Sequence, residues 1–273
     1  MKIYRIINNE ADSLILQSDI DRIVSWSNTW LMSLNPVKCK VLTVSLKRNI
    51  LKHSYSLGVH DLQKVNCMRD LGVTIDQKLN FCDHVSAIIQ GARKALGFIM
   101  RNSHCIKNEH VLKLLYFTLV RSKLEYASII WNSISKNQSD RVERVQHKFL
   151  SFLHKRLTGV YSDDFNLLSE LYKLQSLKAR RSIFDMIFLH KCINANFNVT
   201  ATISFYSLCV PRMFTRHFTL FYVPFGRVNC VRDSLFSRIP RAFNALINVN
   251  CDIDIFSSTL YTFKNHLRKS ICN

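Results

Sequence analysis

Arg141-Val142-Glu143-Arg144-Val145-Gln146-His147-Lys148-Phe149-Leu150-Ser151-Phe152-Leu153-His154-Lys155-Arg156 is the stretch from which the rest of the chain reads most directly. Val142, Val145, Phe149, Phe152 and Leu153 recur three or four residues apart, so a helix puts them on one face. Arg141, Arg144, Lys148 and Lys155 then cluster roughly 100° round at 3.6 residues per turn. The pattern predicts an amphipathic helix with a basic flank, stopped at Gly159, since glycine takes up the left-handed conformation that commonly closes a helix.

The same period extends outward. Val85, Ile88, Ala92, Leu96 and Ile99 share a face, and a second apolar pattern runs from about Glu109 to Trp131, giving three helices between His84 and Arg156. A fourth helix is predicted over Leu167 to Ala195. A less regular aromatic segment from Phe197 to Cys230 follows, then two short helices near 231–247 and 255–270. Toward the amino terminus, Leu16, Ile20, Ile23, Trp30 and Leu34 predict a helix over 11–34 that ends at Asn35-Pro36, because proline disfavours helix in the residue before it. Lys38–Ser45, Tyr55–Val59, Leu62–Val65 and Leu71–Ile75 are short apolar or β-branched runs that suit a small sheet. Only six glycines and four prolines punctuate 273 residues, in keeping with few hairpins. The expected fold is α+β and mostly α: a small sheet within 1–80, a three-helix block over 81–158 and a mainly helical extension over 159–273.

Composition narrows the function. With 48% hydrophobic residues the chain can bury a real core, and a formal charge of +19 favours a polyanionic partner, whose condensed counterions are released on binding. The charge is uneven, with 13 basic against 4 acidic side chains in residues 93–156. No run of eighteen uncharged apolar residues occurs and Met1-Lys2-Ile3-Tyr4-Arg5 opens no apolar signal core, so the expectation is an intracellular protein, cytoplasmic or nuclear, without a membrane partner. The nine cysteines stand at least fifteen residues apart and offer neither a Cys-x-x-Cys zinc pair nor a disulfide framework, so they are read as reduced thiols, mostly packed as small apolar side chains. His60, His104, His110, His147 and His154 have no partner at metal-ligand spacing.

Four stretches carry a resemblance. Leu16-Gln17-Ser18-Asp19-Ile20-Asp21-Arg22-Ile23-Val24-Ser25-Trp26 continues to Leu34-Asn35-Pro36-Val37-Lys38-Cys39-Lys40. Arg69-Asp70-Leu71-Gly72-Val73-Thr74-Ile75-Asp76 is followed by Leu79-Asn80-Phe81 and His84. Leu115-Tyr116 leads through Leu119-Val120-Arg121-Ser122-Lys123-Leu124-Glu125-Tyr126-Ala127 to Ile130-Trp131-Asn132. Phe236-Ser237-Arg238-Ile239-Pro240-Arg241-Ala242-Phe243-Asn244-Ala245-Leu246 precedes Phe263-Lys264. In order and spacing these resemble the reverse transcriptases of jockey-type non-LTR retrotransposons, from the segment after the catalytic Ala-Asp-Asp loop onward.

The resemblance implies a palm remnant with the family's fourth motif and primer-grip hairpin, a helical thumb and a carboxyl-terminal extension. Its partner would be an RNA/DNA template-primer, with no small-molecule substrate for this chain alone. It places Lys38 as a possible general acid in an intact enzyme and Leu71-Gly72 as the turn that contacts the primer. The basic side chains Arg93, Lys94, Arg101, Arg121, Lys123, Arg141, Arg144 and Lys148 become candidates for phosphate contact. An intact family enzyme uses Mg2+, but the metal-binding aspartates belong to the loop and strands before this segment, so no cofactor is expected here and the chain is expected to be inactive alone. Two alternatives are a non-catalytic basic nucleic-acid-binding module and a non-functional transposon relic.

Several residues also have plainer readings. Tyr161-Ser162-Asp163-Asp164 spells the catalytic loop but precedes Leu167-Leu168 and follows the basic helix, which suits aspartates at a helix start. Lys38 could be a strand-edge lysine and Leu71-Gly72 an ordinary tight turn. Phe205, Tyr206, Phe214, Phe218, Phe221, Tyr222 and Phe225, interleaved with Arg212, Arg216 and Arg227, could stack bases, although core packing is the preferred account.

Overall fold

The computed structural model describes residues 2–194, 204–210, 219–249 and 253–272. It is mostly helical with small two-stranded sheets, the α+β class expected. The chain divides into two compact units, Met1–Leu79 and Asn80–Asn273.

In the first unit, α1 (Glu10–Thr29) starts on a capping box in which Asn9 accepts from the Asp12 N–H and Asp12 accepts from the Asn9 N–H. The helix stops short of Asn35-Pro36. Leu31 adopts φ 52° and the Met32 N–H returns to the Ser27 carbonyl, so a left-handed residue closes the last turn before the proline is reached. Three two-stranded pairs follow. β1 (Lys40–Leu42) runs parallel to β4 (Gln63–Val65), β2 (Ser56–Leu57) pairs antiparallel with β3 (His60–Asp61), and β5 (Cys67–Asp70) pairs antiparallel with β6 (Val73–Asp76). Asp70 faces Val73 across the last pair, so Leu71 and Gly72 form its whole turn, with φ 44° and 88°. That is the backbone twist favoured in two-residue hairpins.

In the second unit, α2 (Cys82–Asn102) and α6 (Lys136–Thr158) carry the amphipathic patterns read from sequence. Val85, Ala92, Leu96 and Ile99 of α2 and Val142, Val145, Phe149 and Leu153 of α6 are buried. Each such side chain removed from water contributes about 1.5–3 kcal/mol. Between these helices the expected helix over 109–131 is broken into α3 (Glu109–Tyr116), a wide π turn (Phe117–Arg121), α4 (Ser122–Glu125) and α5 (Ser128–Trp131). The break is held both locally and by α6. Ala127 takes φ 50°, and the buried Trp131 indole donates to the Tyr126 carbonyl at 2.8 Å. Tyr116 stacks on Phe149 with ring centroids 4.1 Å apart and donates to Gln146 Oε1 at 3.0 Å. Gln146 in turn donates to the Gln175 carbonyl, so both polar groups in this core are satisfied.

The helix expected over 167–195 is likewise two, α7 (Phe165–Leu171) and α8 (Leu177–Ile193). Ser176 caps α8, and the half-buried Glu143 carboxylate accepts from the Leu177 and Lys178 N–H groups at 3.1 and 2.6 Å. Burial holds the Glu143 carboxyl above its ordinary range, against the lowering by these two N–H groups and by Arg181. Beyond α8, α9 (Asn229–Arg232), α10 (Leu235–Val249) and α11 (Leu260–Cys272) complete the described helices. Ile183, Met186 and Leu189 of α8 pack with Ile239, Phe243, Phe263 and Leu267 in a second core. The expected boundary near 158 thus falls inside one compact unit.

Seven described cysteines are free, but only Cys192 is buried, whereas Cys67, Cys82 and Cys105 are exposed. Strand alternation explains Cys67, which points outward with Arg69 on β5. No helix among the described residues is long and apolar enough to cross a membrane.

Candidate nucleic-acid interface

The basic side chains singled out in sequence fall in both units. Lys38, Leu71 and Gly72 belong to the first. Lys38 ends the turn Pro36–Lys38, with its N–H on Asn35 and its side chain in solvent. Leu71 is exposed at the hairpin tip, 81% accessible.

The other eight lie in the second unit, and six of them on α2 and α6. These two helices run in the same direction. Gln138 Nε2 lies 3.1 Å from Cys82 Sγ near the start of both, Arg141 Nη2 donates to Ser86 Oγ at 3.2 Å, and Arg156 Nη1 donates to the His104 carbonyl at 3.1 Å beyond the end of α2. The residue offset between paired positions drifts only from 55 to 52, so Arg93 comes level with Lys148. On α2, Ser86, Arg93, Lys94, Gly97 and Arg101 span roughly 100° of arc, and on α6, Arg141, Arg144, Lys148 and Lys155 span roughly 60°. The Ser86–Arg141 bond lies on both arcs, so it turns the two basic flanks toward one another. Gly97 leaves room for the Arg101 guanidinium, whose Nη1 would stand 3.3 Å from a Cβ built there.

Arg93, Lys94, Arg101, Arg144, Lys148 and Lys155 are exposed, and among the described residues none is engaged in an ion pair. Arg141 is partly buried by its bond to Ser86. Sequence reading did not include Lys155 among the contact candidates, although its spacing from Lys148 puts it on the same flank.

Lys123 is exposed on α4, which packs against α2, and belongs to neither of the two helices. Arg121 is engaged elsewhere. Its guanidinium lies 3.7 Å from the centroid of the Phe117 ring and 3.8 Å from Glu125, while Arg180 holds the same carboxylate through two bonds. Burial, and then the neighbouring Arg180, lower the Arg121 pKa from its ordinary value.

Sequence reading missed a buried polar network behind the stripe. Asp185, on α8, accepts from Arg238 Nε and Nη2 and from Asn132 Nδ2, each at 2.9 Å. Arg181, 1% accessible, donates to Asn132 Oδ1 at 3.0 Å and Ser139 Oγ at 2.7 Å, and its guanidinium stands 5.8 Å from the Trp131 ring centroid. Burial lowers the Arg181 pKa, against the nearby carboxylates, Glu143 first. The signal was present: Leu177, Arg181, Asp185 and Leu189 recur every four residues, which puts two charges on the apolar stripe of α8.

The remaining candidates resolve locally. Asp164 is the N-cap of α7, its carboxylate accepting from the Leu167 N–H, and Asp163 accepts from Ser151. Among the described residues no group of three His, Cys, Asp or Glu side chains stands together. His147 stacks on Phe165 with centroids 3.6 Å apart, and His154 Nδ1 lies 3.0 Å from the Tyr172 hydroxyl, so both are packed against α7 and its turn. The aromatic segment divides: Tyr206 and Phe221 are core, whereas Phe205, Tyr222 and Phe225 are exposed. Arg212, Phe214, Arg216 and Phe218 lie outside the described residues.

No protein-family profile matches the chain, and neither a curated protein nor a solved structure is found to be similar to it.

Proposed function

We propose that the second unit grips the phosphate backbone of a nucleic-acid duplex along the facing flanks of α2 and α6. In this reading the chain is part of a non-LTR-type reverse transcriptase that holds an RNA/DNA template-primer, in the cytoplasm or nucleus, and performs no nucleotidyl transfer alone. One observation carries the binding claim: six exposed cations line two co-directional helices with no ion-pair partner among the described residues. Surfaces that only need solubility intersperse both signs. Phosphates would relieve the mutual repulsion and release counterions, without reading sequence. The polymerase ancestry rests on the four resembling stretches alone.

The test is fluorescence anisotropy with a labelled RNA–DNA hybrid across salt. Six phosphate contacts give a log–log slope of about −5, so affinity should fall about 1,000-fold between 50 and 200 mM salt. Arg144→Glu with Lys148→Glu should flatten that slope by about 2, while Lys173→Glu with Lys178→Glu, equal in charge change but off the stripe, should not. Equal losses in both double variants would mean that net charge, not this surface, carries the binding.

A further inference from the structure

A recess on the second unit, away from the stripe, is lined by Val223, Pro224, Phe225, Gly226, Arg232, Asp233 and Arg241, with a volume of about 570 Å3. That lies within the range of small-molecule sites, about 300–1,000 Å3. Its polar side holds two guanidinium groups and one carboxylate. Arg232 Nε and Nη2 reach the Asp233 oxygens at 3.3 and 3.4 Å, and Arg241 Nη1 stands 3.7 Å from the same carboxylate. Charge-assisted bonds close at about 2.7–2.9 Å, so Asp233 orients these cations without satisfying them. The trio keeps one positive charge, and both arginine side chains are about half exposed.

The recess is built rather than left over. Arg241 Nη2 donates to the Arg232 carbonyl at 2.8 Å, and Arg238 Nη1 donates to the Asp233 carbonyl at 3.2 Å, which ties the acidic residue to the buried Asp185 pair. A Cβ on Gly226 would meet the Arg232 backbone nitrogen at 2.8 Å, so the turn sits directly against the end of α9 and only glycine fits there. Beside the two cations, Phe225 is 84% exposed. An exposed aromatic ring that lines the same recess as two guanidinium groups offers a face for stacking, and the guanidinium groups a charge for phosphate, the two contacts by which single-stranded nucleotides are held.

We infer that this recess binds a phosphorylated nucleoside, its phosphate bridging Arg232 and Arg241 and its base stacked on Phe225. The unit could be a free nucleotide or an unpaired residue of a strand, since the recognising chemistry is the same. The inference does not depend on the α2–α6 stripe.

Saturation-transfer NMR and calorimetry on the full chain test it, using AMP, adenosine, ribose 5-phosphate, inorganic phosphate and a five-residue single-stranded oligonucleotide. AMP or the oligonucleotide should bind about tenfold more tightly than ribose 5-phosphate, and Phe225→Ala should erase that difference. Arg232→Gln with Arg241→Gln should bring AMP down to the level of adenosine. Binding of AMP alone, or of the oligonucleotide alone, supports the site and assigns its source. Arg144→Glu with Lys148→Glu should leave AMP binding unchanged, which separates this claim from the duplex grip. Phe225 makes too little contact for its loss to unfold the chain, so an unchanged melting curve is expected. Equal affinity for AMP and inorganic phosphate in the wild-type chain, loss of no ligand in Phe225→Ala, or no binding of any ligand would overturn the inference.

Discussion

Replacing Asp185 with alanine should destabilise the second unit severely, because that carboxylate is the acceptor at the centre of a charged network. Its side chain is 6% exposed and that of Arg238 is 13%, and three donors converge on its two oxygens at 2.9 Å. The alanine variant strips the Arg238 guanidinium of its anion and removes a nearby negative charge from the buried Arg181, whose Nη1 already has no hydrogen-bond partner among the described residues. Breaking one side of a buried ion pair costs about 3–5 kcal/mol. For a unit of 194 residues, from Asn80 to Asn273, that corresponds to a drop in melting temperature of about 6–20 °C. Urea unfolding followed by circular dichroism measures it. Asp185→Leu combined with Arg238→Met should recover at least half of the loss, since an apolar pair of similar volume avoids the desolvation cost. A single-variant loss below about 1 kcal/mol would refute the reasoning, because that is the range of an exposed pair. A double variant no better than the single one would show that packing, not the uncompensated charge, sets the cost.

Other outcomes follow from single positions. Leu71→Asn puts a residue suited to φ 44° into the β5–β6 turn; with left-handed strain of about 1 kcal/mol relieved, amide exchange in the hairpin should slow about fivefold. Faster exchange would mean that the leucine side chain anchors the turn. Gly159→Ala should cost about 1 kcal/mol in thermal unfolding from backbone strain alone, since no atom stands within 4 Å of the new methyl group at φ 79°. Burial holds the His147 pKa below its ordinary 6.5, so the folded state takes up its proton later than the unfolded state as pH falls. The stabilisation is present above 6.5 and is lost as pH drops through the depressed folded value; His147→Gln should flatten that part of the melting profile, and parallel profiles would exclude the ring as its source. Primer extension on an RNA template with magnesium should give no incorporation, and measurable product would end the reading of a binding part without chemistry.

Local periodicity made α2 and α6 legible because their buried faces obey the helical period from end to end. It was less accurate within a turn: Ile88 is only partly buried while Ile89 is buried, and Phe152 lies at the edge of the core with Arg156 5.4 Å from its ring centroid. The break after Tyr126 was hard to read, since Ala127 is the best helix former, yet it takes a left-handed conformation beside the bond from the Trp131 indole to the Tyr126 carbonyl, five residues back. The turn at Tyr172–Ser176 did have one, the N-cap serine, but its second support comes from Glu143 some thirty residues away. Leu31 shows the same priority of geometry over composition. The stripe itself was legible as charge on α6, whereas the alignment of α2 beside it depended on bonds such as Arg141–Ser86 that no spacing encodes.

The use of the acidic side chains gives the stripe its meaning. Residues 93–156 contain Glu109, Glu125, Asp140 and Glu143. Glu109 pairs with Lys113, Glu125 sits between Arg121 and Arg180, and Glu143 closes the start of α8. Two of the four therefore serve contacts between helices, Glu109 is paired within α3, and Asp140 remains at the surface beside Arg141, unpaired among the described residues. Among the described residues, a ligand on α2 and α6 therefore meets two exposed carboxylates, Asp83 and Asp140, both near the helix starts, against six unpaired cations further along. A surface in this state repels itself and gains nothing in packing, because the six cations lie outside both cores. Fold stability explains where the carboxylates are; it does not explain why the cations opposite them are left without partners. The polyanion proposed to span both helices would explain it, and the salt slope of binding would measure how many of the six it uses.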